Sequence, residues 1–159
     1  MRQVRQKNTS AESALRSRLH ALGLRYRVQG PILTKPRRVS DIMFAGPCVV
    51  VFVDGCFWHG CPEHGTWPKQ NAKFWRAKIV TNQERDRTTS ERLRAEGLEV
   101  VRIWAHEPPD EAAGRIANIV QMRKSKDRVP SKQFLPSIRR SDINLVGAML
   151  DYPGGGQAE

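Results

Sequence analysis

Residues 52–64, Phe-Val-Asp-Gly-Cys-Phe-Trp-His-Gly-Cys-Pro-Glu-His, hold two carboxylates, two thiols, two imidazoles and two adjacent aromatic rings. A structural core has little use for so many ionisable groups, because burying them is costly unless they are paired or bind metal. Cys56, Cys61 and His64 follow the spacing C-x4-C-x2-H, and His106 is the natural fourth donor. A Cys2His2 set suits tetrahedral, structural Zn2+. The plain alternative is free buried thiols and surface imidazoles. Glu63, behind a proline, reads as a solvated loop residue.

Asp41 and Asp54 offer harder oxygen donors. If their strands form a hairpin through Gly46-Pro47, the two carboxylates approach each other and can hold Mg2+, the usual ion for phosphodiester chemistry. Otherwise each is a turn or cap residue. His59 is either a metal ligand in place of one of the others or a general acid–base beside a phosphate. Phe57, Trp58 and Trp75 either pack the Cys/His loop or wedge between base pairs. Glu12 reads as a salt-bridge partner on a helix surface. Cys48, Trp67 and Trp104 read as packing residues, and His20 lies on a polar helix face.

The elements that must position these groups follow from hydrophobic periodicity. Ser10 to Leu22 has helical spacing of Ala14, Leu15, Leu19 and Leu22, with Ser10 as the cap and Gly23 as the stop. Leu24 to Gln29 alternates as a half-exposed strand. Gly30 to Pro36 reads as a loop, and Val39 to Phe44 as a short strand carrying Asp41. Cys48 to Val53 is apolar throughout, as in a buried strand. Phe74 to Gly97 spans one long helix or two. Leu98 to Trp104 is a strand, and Asp110 to Lys124 is an amphipathic helix with Ile116, Ile119 and Val120 inward. The order α-β-β-β-α-β-α predicts an α/β fold with a mixed central sheet flanked by helices.

The 159 residues suffice for one domain with a core. The formal net charge is +11 and the sequence pI is about 10.3, which points to an anionic polymer as partner. Residues 1–40 contain ten Lys or Arg and a single acid, Glu12. No stretch approaches the ~20 apolar residues of a membrane span. Three cysteines and no signal peptide suit a reducing cytoplasm. Residues 127–159 read as a basic C-terminal extension, partly disordered, after a domain over 1–126.

These residues, in this order, resemble the very-short-patch repair (Vsr) endonucleases, which nick DNA at T:G mismatches. The resemblance runs through Gly55-Cys56-Phe57-Trp58-His59, Phe74-Trp75, Lys78-Ile79, Asn82, Glu84-Arg85-Asp86-Arg87, Leu93, Gly97 and Trp104. Glu12, Leu15, Gly23-Leu24 and Arg27-Val28-Gln29 fit as well. It implies a restriction-endonuclease-like core of the PD-(D/E)xK type, with catalytic Mg2+ and structural Zn2+. It implies metal binding by Asp41, ordering of the solvent near that metal by Glu12, catalysis by His59, and zinc ligation by Cys56, Cys61 and His106 with His64 as fourth. It also implies intercalation by Phe57, Trp58 and Trp75, with Met1 wedging from the other groove.

Two departures stand out. The family's Thr-His before Gly-Cys is Val53-Asp54 here, which removes a proposed proton donor and places Asp54 beside Asp41 as a second expected Mg2+ ligand. Ser40 replaces the usual proline before Asp41. The expectation is a Mg2+-dependent nuclease that nicks double-stranded DNA at T:G mismatches. It would be a monomer in a bacterial cytoplasm, associated with the nucleoid, with a cytosine methyltransferase or repair proteins as further partners. The rivals are a restriction-like or structure-specific nuclease with another target, a non-catalytic zinc DNA-binding module, and a zinc hydrolase. A closed four-ligand site argues against the last.

Overall fold

The computed structural model describes residues 9–65 and 69–125. Met1, Trp67 and the extension over 127–159 lie outside the described residues. The elements run α1 (Ser10–Ala21), β1 (Arg27–Val28), β2 (Pro31–Thr34), β3 (Arg37–Val39), β4 (Ile42–Phe44), β5 (Val49–Asp54), α2 (Ala72–Ala95), β6 (Glu99–Trp104) and α3 (Pro109–Ser125). The main sheet has the order β1-β4-β5-β6. β4 is antiparallel to β1 and to β5, and β5 is parallel to β6. This is the expected mixed sheet with helices on its faces.

Alternation along β5 divides the core. Val49 and Val51 face α1 and α3, joining Leu15, Leu19, Ala112, Ala113, Ile116 and Val120. Val50 faces α2 and the β2–β3 hairpin, joining Ile32, Leu33, Leu93 and Val100. Leu19 and Ile116 are fully buried, each stabilising the fold by about 1.5–3 kcal/mol.

Several boundaries differ from the sequence reading. The helix cap is Thr9, not Ser10: Thr9 accepts from the Glu12 amide at 3.3 Å while Glu12 reaches back to the Thr9 amide at 3.4 Å. The signature is Thr-x-x-Glu, a capping box. Leu22 is the C-cap and is exposed, not inside. The supposed loop over 30–36 contains β2, which pairs with β3 as a separate hairpin. The chain bends at Ser40-Asp41, so the expected strand over 39–44 is split. Cys48 is buried but precedes β5 in a turn, at φ 56°.

α2 is a single helix. Thr88, Thr89 and Ser90, weak helix formers, donate their hydroxyls to the carbonyls of Glu84, Arg85 and Asp86 at 2.7–2.9 Å. The hydroxyls of Thr89 and Ser90 are thus satisfied in the buried face without breaking the helix.

Candidate functional site

The ends of β4 and β5 place the carboxylates. At the bend, the Asp41 amide donates to Val51 O at 3.2 Å, and the Gln29 amide donates to Asp41 O at 3.2 Å. Asp41 is thereby tied to both neighbouring strands. Its Oδ2 accepts the Val53 amide at 2.8 Å. Burial pushes the Asp41 carboxyl above its ordinary range; the Val53 bond opposes this, and the carboxylates of Glu12 and Asp54 raise it further. An acid held among acids favours a cation there.

Glu12 is almost fully buried, not the surface residue expected from its basic surroundings. The capping box holds its Oε1, and Arg16 binds its Oε2 at 2.9 Å. The first helical turn therefore aims Glu12 at the bend, close enough to act on Asp41.

Asp54 ends β5 on the α2 face, where its two oxygens are held by Arg102 at 2.5 and 2.6 Å. Asp86 of α2 lies 3.2 Å from Arg102 and 2.5 Å from His59 Nδ1. His59 Nδ1 is also 3.7 Å from Asp54. Asp54, His59 and Asp86 make one compact donor group; Asp41 is not a member of it. Burial pushes Asp86 up, but the His59 hydrogen bond and the Arg102 charge outweigh it, so its carboxyl sits below the ordinary range. These groups line a cleft of about 480 Å³ together with Gln83, Arg87, Arg94 and Trp104.

The sequence reading missed Asp86 as a site residue, and missed Arg102 altogether. The signals were present. Arg102 is a lone charge in the apolar strand Val-Val-Arg-Ile-Trp. Asp86 lies on the inward stripe of α2 with Ile79, Asn82, Ser90 and Leu93, at helical spacing.

Cys56, Cys61, His64 and His106 come together, with one donor atom of each within 4.8 Å of the others. Cys56 Sγ lies 3.1 Å from His106 Nδ1, and Cys61 Sγ lies 3.7 Å from His106 Nδ1 and 4.0 Å from His64 Nδ1. Tetrahedral bonds of about 2.3 Å to sulfur and 2.0–2.1 Å to nitrogen imply S···N edges of about 3.6 Å, so the donors fit zinc. Glu63 Oε2 stands 3.4 Å from His106 Nε2, able to hold that ring by its other nitrogen.

Between the two cysteines lie the aromatics and His59. Phe57, Trp58 and Trp75 each meet the other two edge-on, with centroids 5.1–5.9 Å apart. Phe74 extends the cluster through Trp75 at 5.3 Å and is 60% exposed. α2 grips this loop: Asn82 donates to Trp58 O at 3.0 Å and Gln83 to His59 O at 3.1 Å. Gly60, at φ 63°, allows that approach; a Cβ would meet Gln83 at 2.7 Å and Ile79 at 2.9 Å.

The positive charge of α2 is partly spent within the helix. Arg87 pairs with Glu84 and Glu91, and Arg85 with Asp86. Lys69, Lys73 and Lys78, around the aromatic end, have no ion pair among the described residues. No helix of the described residues is long and apolar enough to cross a membrane.

A family model described as DNA mismatch endonuclease Vsr matches residues 1–64. The chain is 40% identical over 124 residues to the type II nicking enzyme V.NaeI of Lentzea aerocolonigenes, covering 74% of this chain and 72% of that protein. It is 41% identical to the type II nicking enzyme V.XorIIP of Xanthomonas oryzae pv. oryzae, covering 76% of this chain and 88% of that protein. The DNA mismatch endonuclease Vsr of Escherichia coli K12 is 36% identical over 108 residues, 65% of each chain.

Proposed function

The chain belongs to the Vsr family of DNA endonucleases, and from that premise we propose that it nicks one strand of double-stranded DNA at T:G mismatches, with Mg2+ at Asp41 and Zn2+ at the Cys/His cluster. Asp41, in the acidic setting that raises its carboxyl, is the principal Mg2+ ligand, and Glu12 faces the same point. Bound there, Mg2+ would offset phosphate charge and make an attacking water more acidic.

The observation that carries the catalytic reading is the locked imidazole. With Nδ1 held by the Asp86 carboxylate at 2.5 Å, the ring's other nitrogen, Nε2, is the one left for proton transfer. Water adds to phosphorus, the bond from phosphorus to the 3′ oxygen breaks, and the products carry 5′-phosphate and 3′-hydroxyl ends. His59 moves a proton in that exchange.

Phe57, Trp58 and Trp75 form a preassembled wedge beside this centre. A T:G pair unstacks more easily than a matched pair, which is one source of selectivity. Lys69, Lys73 and Lys78 would hold flanking phosphates and make binding salt-sensitive. Cys56, Cys61, His64 and His106 would close the zinc coordination, leaving it a structural role.

A second reading keeps the nuclease and changes the target, and the replacement of the family's Thr-His by Val53-Asp54 favours keeping it in view. A panel of matched and mismatched duplexes separates the two. Nicking confined to T:G supports the first reading; preference for another mismatch or a matched site supports the second.

A further inference from the structure

Arg102 is a charged residue in the middle of a core strand. It stands beside Phe52 in the parallel β5–β6 register, flanked by buried Val101 and Ile103. Nε and Nη2 are committed to Asp54, and Nη2 also to Asp86. The guanidinium lies 5.1 Å over the Phe52 ring. Nη1 has no hydrogen bond among the described residues. The side chain keeps 26% of its surface, and it lines the same cleft as His59.

Stability alone is a poor reason for this pair. Removing two charges from water costs several kcal/mol per ion, and well-packed apolar residues often do as well. Charge balance supplies a better one. Glu12, Asp41, Asp54 and Asp86 all gather around the end of β5, and a phosphodiester brought there meets carboxylates. Arg16 is engaged by Glu12, and Arg85, which meets Asp86 from outside, is 44% exposed. Arg102 is the cation embedded among the others, and Asp41 also feels its charge. Arginine suits two anions at once, because one edge of its planar fork can hold a carboxylate while another nitrogen reaches a phosphate oxygen.

We propose that Arg102, anchored by Asp54 and Asp86, grips a non-bridging oxygen of the scissile phosphodiester through Nη1, and that Asp54 is its anchor rather than a second ligand of the metal at Asp41. This assignment rests on the nuclease reading above. It revises the expectation that Asp54 would join Asp41 on Mg2+.

The test is a binding cycle on T:G duplexes, without added divalent ion, that differ only in a normal or a neutral methylphosphonate linkage at the scissile position. The methylphosphonate should weaken wild-type binding about tenfold, the worth of a hydrogen bond to a charged group. It should weaken Arg102→Gln by less than about twofold, with part of the effect restored in Arg102→Lys. Because Arg102→Gln leaves two buried carboxylates together, the double variant Asp54→Asn/Arg102→Gln is measured too and should show the same loss. In parallel, Mn2+ binding followed by electron paramagnetic resonance should stay within about threefold of wild type in Asp54→Asn and vanish in Asp41→Asn. An equal methylphosphonate penalty in wild type and both Gln variants overturns the phosphate contact. Loss of Mn2+ in Asp54→Asn to the extent seen in Asp41→Asn overturns the anchor role. A wild-type protein that binds these duplexes but nicks none of the mismatch panel would defeat the nuclease reading instead, whatever the cycle shows.

Discussion

The loop between Gly55 and Gly65 separates two clusters of opposite chemistry. On one side stand two thiols and two imidazoles, with donor separations close to the edges of a zinc tetrahedron. On the other stand carboxylates whose acidities are driven apart, Asp41 upward by burial and neighbouring acids, Asp86 downward by His59 and Arg102 against its burial. The first set has a full complement of protein donors and leaves no position for substrate. In the second, Asp54 and Asp86 border an open cleft. His59 and the aromatic pair are strung between Cys56 and Cys61, so a metal closing the first cluster would fix the residues beside the second. On the proposed reading, one cluster builds the loop and the other uses it.

Apart from loss of the Asp41 carboxylate itself, the largest effect should come from breaking the structural side. Cys61→Ser leaves an incomplete ligand set, and folding energy tied to metal is lost with it. Bound zinc measured by elemental analysis should fall below one equivalent, and nicking should drop at least about a hundredfold through the misplaced His59. Full activity without zinc would show that the two sides are independent.

A smaller change should follow at the wedge. Trp58→Ala removes one stacking ring, worth about 1–3 kcal/mol per base. The ratio of T:G to T:A binding should fall by about tenfold while the Mg2+ concentration for half-maximal nicking stays put. An unaltered ratio would make the triad a packing cluster only.

The smallest effect has the opposite sign. The folded-state carboxyl of Asp41 lies above its unfolded value, so its ionisation opposes folding. That opposition is absent in acid, below the ordinary carboxylate range, and grows as pH rises through the folded value. Without added Mg2+, Asp41→Asn should therefore stabilise the protein at pH 7.5 by about 0.5–1 kcal/mol in urea unfolding, a common size for relief at a functional site. The gain should vanish near pH 3. Destabilisation at pH 7.5 would mean that the acidic surroundings do not strain Asp41.

Much of this was legible from the chain. The buried strand, the β4–β5 hairpin and the meeting of His106 with the Cys/His loop follow from periodicity and turn residues. What escaped was set by partners distant in sequence. Glu12 looked exposed because its neighbours are basic, yet its place in the Thr9 capping box turns it inward. Asp54 was legible beside Asp41, but its partner Arg102, 48 residues further on, was not. The β2–β3 hairpin was hidden by its prolines, and the bend at Asp41 by an otherwise strand-like run from Val39.

The most direct test of the central claim is single-turnover nicking, with Mg2+, of two duplexes that differ only in T:G versus T:A, by the wild type and Asp41→Asn. The account predicts nicking of the T:G duplex alone, lost by at least about 10³-fold in the variant while duplex binding persists. Equal nicking of both duplexes, or nicking by Asp41→Asn at the wild-type rate, would contradict it.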